Sequence, residues 1–464
     1  MAGDSWALIP SVIILEILSY LSQKDRISAT STCKRWRSCL FQPKLWKSLT
    51  LNLNKHQRER TNFLSDVCGR FVRECAIRFN PSKVEEVVKS LNVLDSLVGN
   101  INIQVLQLQP TSCHFDWANI PDFRYIQKVQ EVLRSCRKLI HLSLGCSEDV
   151  LAHSSALVET LATNHSHSLQ AFHLASVKED SENYGIVDLN VENFQHFTSL
   201  KHLSIDYDFV DSRLLKGFCR KGQYQLERLI IHVHGVGQEQ EIISNSSWRE
   251  FTNYNKHVEV TLNLIHSFSG VEKLVDILKR DLPLTHFRQF FCSMINDAAL
   301  RLMANQYSYC LKSIEIVDGM ENGECNWYNL AEIDEDPFIM LAWKCPRLNK
   351  ISIIGKYTFV IVRGTRMVDE NLVAIARLRE DTLDTLAVPE CCIHYEEMDS
   401  DPNPSETHLR ELACRLSHRI SKSLGRNWRP LPDDSLPEAI FDEMANAEEV
   451  YNHIFLEDQK YIQM

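Results

Sequence analysis

The chain has 464 residues, room for about three domains of ordinary size, and its 44% hydrophobic and 24% charged residues suit a globular protein with a large core rather than a disordered one. Lys and Arg number 50 against 61 Asp and Glu, a formal net charge of −11, which argues against a chain whose main work is neutralising nucleic-acid phosphates. The longest uncharged run, Ser96 to Phe115, carries Asn100, Asn102, Gln104, Gln107, Gln109 and Pro110, amides that hydrocarbon cannot satisfy, so no membrane span is expected.

In chain order, the apolar start from Trp6 to Leu15 has no basic residue before it and is interrupted by Glu16, so it is read as part of the fold and not as a secretory leader. Fifteen cysteines with no C-x-x-C pair predict reduced thiols and a location in cytoplasm, nucleus or both. Pro10 stands where a first-turn proline fits, and Ile13, Ile14, Ile17, Leu18 and Leu21 then gather on one side of a helix. Ser22 and Asp25 have capping-box spacing and open a second short helix through Ile27 and Ala29. Cys33, Trp36 and Leu40 recur at three and four, and Pro43 precedes Leu45, Trp46 and Leu49. A piece of about fifty residues is too small to bury all of these internally, so a partner is expected.

The ordered set Ile9-Pro10, Ile17-Leu18-Ser19-Tyr20-Leu21, Asp25-Arg26, Cys33-Lys34-Arg35-Trp36-Arg37 and Pro43-x-Leu45-Trp46 resembles the F-box. The resemblance implies docking on the S-phase kinase-associated adaptor protein of SCF ligases, and through it to cullin and the RING subunit. The contacts it implies are Ile9, Pro10, Ile13, Ile14, Ile17, Leu18, Leu21, Cys33, Trp36, Leu45 and Trp46. Val12 departs from the pattern, which usually has an acidic residue there, and so weakens the polar part of the contact. The rival reading is a helical cap packed on the rest of the chain. Seven basic residues against one acidic between Ser22 and Lys47 are read as a solvated face.

Downstream a six-residue pattern recurs, apolar at positions one, four and six: Val72/Cys75/Ile77, Ile103/Leu106/Leu108, Leu139/Leu142/Leu144, Leu169/Phe172/Leu174, Leu200/Leu203/Ile205, Leu226/Leu229/Ile231, Leu311/Ile314/Ile316, Leu348/Ile351/Ile353 and Leu383/Leu386/Val388. The gap between Leu226 and Leu311 leaves room for two degenerate units, near Val258 to Leu264 and Leu284 to Phe287. This is the leucine-rich-repeat signature, with positions four and six facing the interior and the connection returning on the outside. Units this long predict full outer helices, as at Asp336 to Lys344. Cys136 and Cys345, three residues ahead of a first-position leucine, are read as buried packing. The fold class is therefore α/β, an N-terminal all-α F-box (1–50) followed by a leucine-rich-repeat solenoid with inner parallel strands and outer helices (51–395); an irregular α/β domain is the alternative. An acidic loop and a capping helix with Leu409, Leu412, Ala413, Leu416 and Ile420, stopping near Gly425, are expected over 396–432. The tail, 433–464, has nine acidic residues against Lys460 alone.

The segments Phe71-Val72-Arg73-Glu74, Asp336-Pro337-x-x-x-Leu341-Ala342-Trp343-x-Cys345 and Asn371-Leu372-Val373-Ala374-Ile375-Ala376-Arg377-Leu378-Arg379 extend the resemblance across nearly the whole chain to the F-box only proteins. That resemblance implies a non-catalytic substrate-recognition subunit of an SCF-type cullin-RING ubiquitin ligase, with an unidentified protein substrate; the alternative is an adaptor-binding scaffold outside a cullin ligase. No phosphate-binding loop, H-E-x-x-H or G-x-S-x-G motif is present, and no cofactor or metal is expected. The pairs His165/His167 and His232/His234 are read as ordinary exposed histidines. Substrate contacts are expected at outward strand positions three and five, His141, His173, His202, Arg228, Ile230 and Lys350. Arg228 beside Ile230 is the favoured hot spot, and His141, His173 and His202 are a candidate stripe.

Overall fold

The computed structural model describes residue 6 and residues 9–54, 58–117, 122–317, 336–354, 367–400 and 405–432, apart from 179, 182, 221, 223, 238–239 and 293–294; in the tail it describes 454, 456, 458 and 459. Pro402, Pro404 and most of the acidic tail thus lie outside the described residues. The chain forms two compact units, Met1–His173 with His196–Ser199, and Leu174–Gln195 with Leu200–Met464.

The first unit opens with three short helices, α1 (Ser11–Ser19), α2 (Gln23–Thr30) and α3 (Lys34–Leu40), and a 3-10 turn, Pro43–Trp46. Pro10 caps α1, and the Ser22 hydroxyl accepts the Asp25 N–H at 3.2 Å while donating to the Asp25 carboxylate at 2.6 Å. Five parallel strands follow, each hydrogen-bonded to the next: β1 (Ser48–Asn52), β2 (Glu74–Phe79), β3 (Val105–Pro110), β4 (His141–Ser143) and β5 (Ala171–His173). Alternation puts positions four and six on one face, so Cys75/Ile77, Leu106/Leu108 and Leu142/Leu144 are buried in the core. The returning helix Val84–Leu97 faces that core with Val87, Leu91, Leu94 and Leu97, the spacing of one helix face. At its end the buried Asn100 amide donates to the carbonyls of Gly69 at 2.7 Å and Val72 at 2.8 Å, satisfying backbone that would otherwise be orphaned. Strand β1 is a repeat unit that the motif count left out: Trp46, Leu49 and Leu51 follow the one-four-six spacing, and Leu49 and Leu51 pair with Cys75 and Ile77.

In the second unit β6 (His202–Asp206), β7 (Arg228–Val233), β8 (Glu259–Ile265), β9 (Leu284–Phe290), β10 (Ser313–Val317), β11 (Lys350–Ile354) and, past the short β12 (Met367–Val368), β13 (Thr385–Ala387) form a parallel ladder. Both degenerate units are full strands. A register shift at Val260/Thr261 makes Thr285 the extra residue in β9, and its hydroxyl donates to the Val260 carbonyl at 3.0 Å. The expected helix before Cys345 spans Pro337–Lys344, with Pro337 in its first turn and the Asp336 carboxylate accepting the Phe338 N–H at 2.8 Å. The expected end helix spans Glu406–Leu424, buries Leu412, Leu416, Ile420 and Leu424, and stops at Gly425, whose φ of 65° is the left-handed cap glycine favours. It lies beside the helix Asp369–Arg379.

The fourteen described cysteines are free thiols. Cys136 and Cys345 are buried, and burial pushes each thiol up to about 12, consistent with inert packing.

Candidate functional site

Two surfaces carry the chemistry, one in each unit. In the first, α1 is apolar nearly all round, and its two sides have different fates. Ile14 and Leu18 turn inward to join Leu45 and Trp46 in a fully buried centre. Those four, expected at the adaptor contact, are therefore taken by the segment's own core and offer nothing to a partner. Ile9, Ile17, Leu21, Cys33 and Trp36 are half-buried, while Pro10 and Ile13 are exposed. Val12 (77% exposed), Ile13 (50%) and Tyr20 (80%) leave α1 with an uncovered apolar side, which is unusual for a helix already packed on a core.

Arg26 fixes the angle of this surface, a role the sequence did not suggest. Its guanidinium donates to the Leu18 carbonyl at 3.0 Å, to that of Leu21 at 3.0 Å and to that of Leu45, and stacks over the Trp46 ring with 5.2 Å to its centre. One planar cation thus closes the end of α1 onto the 3-10 turn. The other six basic residues between Ser22 and Lys47 are exposed, the solvated face expected; Lys44 lies 3.6 Å from Glu16.

The second surface is the strand face of the second unit opposite the leucine core. Register places Ser204, Ile230, Thr261, His286 and Ser313 in one row, and Asp206, His232, Asn263, Arg288, Glu315 and Ser352 in the next. Little of this face is open. Ile230 is 1% exposed between Ser204 and Thr261, and Arg228 is half-buried with its guanidinium 2.9 Å from Glu259, so the exposed hot spot expected from the pair does not exist. Lys350 is committed to Glu315 at 2.8 Å, and half-buried His202 lies 3.9 Å from Glu227. In the first unit His141 and His173 are both buried and fall in different rows, His141 level with Ala171 and His173 with Ser143, so they form no stripe.

The histidine pairs also depart from expectation. His165, His232 and His234 are buried; His167 alone is exposed, bonded to Thr198 at 2.9 Å. His165 points Nε2 at the Leu133 carbonyl at 2.8 Å. His232 has an acceptor on each nitrogen: the Ser176 carbonyl 2.8 Å from Nδ1 and an Asp458 carboxylate oxygen 2.8 Å from Nε2. With Asp458 ionised, only a doubly protonated ring satisfies both. Burial pulls the ring's pKa down, but the Asp458 hydrogen bond and the Asp458 and Asp206 charges outweigh it and raise the value. His234 differs: burial holds it at about 3, so it is neutral, donating from Nε2 to the Ser176 carbonyl at 3.1 Å.

Asp458 is the unexpected member. It belongs to the acidic tail, yet it is fully buried, with Asn263 Nδ2 and Arg288 Nη1 each 3.3 Å from its second oxygen. Arg288 in turn lies 3.8 Å from Glu315. On the other side Lys178 stands 3.5 Å from Asp206, whose carboxylate also accepts the Ser176 N–H at 2.7 Å and hydroxyl at 2.6 Å. Asp206, His232 and His234 bring ligand atoms within 4.8 Å of one another, close enough for a metal. The donor set does not suit one: both His232 nitrogens are engaged, and the Lys178 ammonium already neutralises Asp206.

The F-box-like family matches residues 6–52, the helices of the first surface. An F-box-like domain opens this chain. Beyond it, F-box only protein 33 of Homo sapiens is 25% identical over 92% of this chain and 83% of its own length, and the Mus musculus protein of the same name matches equally. F-box/LRR-repeat protein 21 of Mus musculus is 24% identical over 92% of this chain and 89% of its own length. The similarity covers the repeats as well as the F-box-like domain, and no described helix is long and apolar enough to cross a membrane.

Proposed function

We propose that this chain is the substrate-recognition subunit of an SCF-type cullin-RING ubiquitin ligase and has no catalytic group of its own. The observation that carries the reading is the uncovered apolar side of α1, with Val12, Ile13 and Tyr20 exposed in a domain that matches the F-box-like family. A buried apolar contact of that kind is how a small helical domain holds a partner. The adaptor docks there, the cullin and RING subunit follow through the adaptor, and the repeats hold the protein substrate. Transfer is then accelerated by proximity, because a substrate lysine held beside a charged conjugating enzyme reacts at high effective concentration. Such a subunit works in the cytoplasm, the nucleus or both.

The test is co-purification with the adaptor, followed by a probe for cullin in the same complex. Adaptor and cullin together are expected, and replacing Ile9 and Pro10 should remove both. Adaptor without cullin would leave a scaffold outside the ligase, and an unchanged adaptor yield with the double mutant would overturn the docking surface.

A further inference from the structure

The row containing His232, Asn263 and Arg288 is built around one carboxylate. From end to end the charges alternate: Lys178, Asp206, protonated His232, Asp458, Arg288, Glu315, Lys350. Without Asp458, two neighbouring buried cations would share too little negative charge, and an unpaired buried cation is strongly disfavoured. The cradle itself comes from rigid parallel strands, whereas the carboxylate comes from 226 residues further along the chain than His232, on a helical turn. On that turn Ile454 and Asp458, four residues apart, are both fully buried, while Leu456 is 51% exposed, the pattern of one helix face laid on a surface. A single turn with one apolar anchor and one carboxylate is a small recognition element, and a tethered one binds at high effective concentration without being strong in itself.

We propose that this cradle is a binding site for an acidic helical segment of a partner protein, an apolar residue followed four positions later by Asp or Glu, and that the tail occupies it in cis as a stand-in. On the reading above, that partner is the substrate, and displacement of the tail accompanies its capture. The cradle's existence does not depend on that reading. Specificity follows from the donors: His232 Nε2, Asn263 Nδ2 and Arg288 Nη1 converge on two oxygens, so an amide in place of the acid would leave a donor facing a donor.

The experiment uses the full chain and, as probe, a fluorescent peptide of residues 450–464. The D458N variant, which loosens the tail, should bind the peptide at least tenfold more tightly than the unaltered chain does. The same peptide carrying Asn at 458 should bind at least tenfold more weakly. If D458N proves poorly folded, I454S loosens the tail from its apolar side and leaves the cradle's polar groups in place. Peptide affinity that is equal for the loosened variants and the unaltered chain, or indifferent to the acid, overturns the proposal. A reporter fused to the peptide is then offered to D458N or I454S assembled with adaptor, cullin and RING subunit. Peptide binding without reporter ubiquitylation would refute the receptor reading while leaving the carboxylate site established.

Discussion

At the scale of single residues, two cations govern the two surfaces. Arg26 ties three carbonyls and one indole together, so Arg26→Met should cost about 2 kcal/mol, the worth of lost charge-assisted hydrogen bonds from a half-buried site. A fall in melting temperature of the adaptor-free chain checks this, and no fall would mean the guanidinium merely decorates the domain. His232 makes tail docking depend on pH. The Asp458 hydrogen bond and charge raise its pKa above the value it has with the tail away, so its contribution to docking is complete below that tail-free value and disappears as pH rises through the docked-state pKa. The groups facing the ring are Asp458, Asp206, His234 and the Ser176 carbonyl, with Lys178 beyond Asp206 at 3.5 Å, and His234, held at about 3, stays neutral throughout. Amide exchange at residues 454, 456, 458 and 459, corrected for intrinsic rates, should lose protection as pH rises through the docked-state pKa; equal protection at pH 6 and pH 9 would remove His232 from the mechanism. These roles were largely hidden in the sequence. An H-x-H pair looks the same exposed or buried, and no local pattern joins His232 to an aspartate far away in a run of acidic residues.

At the scale of elements, α1 separates stability from binding within one turn. Ile14→Ala should destabilise the chain by about 2–5 kcal/mol, because it empties a buried position. Its neighbour behaves oppositely: Ile13→Asp should leave the melting temperature within about 2 °C yet reduce adaptor co-purification at least tenfold, a split read from a thermal melt and a pull-down on the same preparations. Similar loss of stability in both would mean that the exposed side of α1 is structural. The elements themselves were legible. The spacing of Ser22 and Asp25, Pro337 after Asp336, and Gly425 after an apolar stripe each express a backbone requirement, and each ends or begins a helix where expected. What failed was the division of α1 into inner and outer sides, since an aliphatic stripe this wide does not say where the core stops. Strand β1 was missed for a related reason: Trp46 satisfies the F-box pattern and the repeat pattern at once.

At the scale of the whole molecule, stability in stacked repeats is mostly a sum of neighbour contacts, so an exposed end frays first. Deleting the helix Glu406–Leu424 would uncover the helix Asp369–Arg379 beside it. Exchange protection should then fall in β13 and β11 and persist in β7 to β9; unchanged protection in β13 would show that the helix caps nothing. Most of the repeats were legible because burial enforces the one-four-six spacing; β8 and β9 keep it only in part, with exposed His257 at position one of β8 and Gln289 at position six of β9. The binding face was not, because open outward positions were assumed on a face where Ile230, His232 and Arg288 are covered.

The register of β9 bears on that face in another way. Through Thr261 and His286, position five of β7, Ile230, lies level with position three of β10, Ser313, so the repeats on either side are out of phase by two residues. Two residues of strand are about 7 Å, more than twice the reach of a hydrogen bond. His232 and Arg288 meet one carboxylate only because of this offset. Sliding β9 by one residue against β8 would send Arg288 into the leucine core and bring an apolar side chain to face the tail. The repeats of this chain are therefore not interchangeable parts: their order is itself a specificity code, written in the register of a single strand.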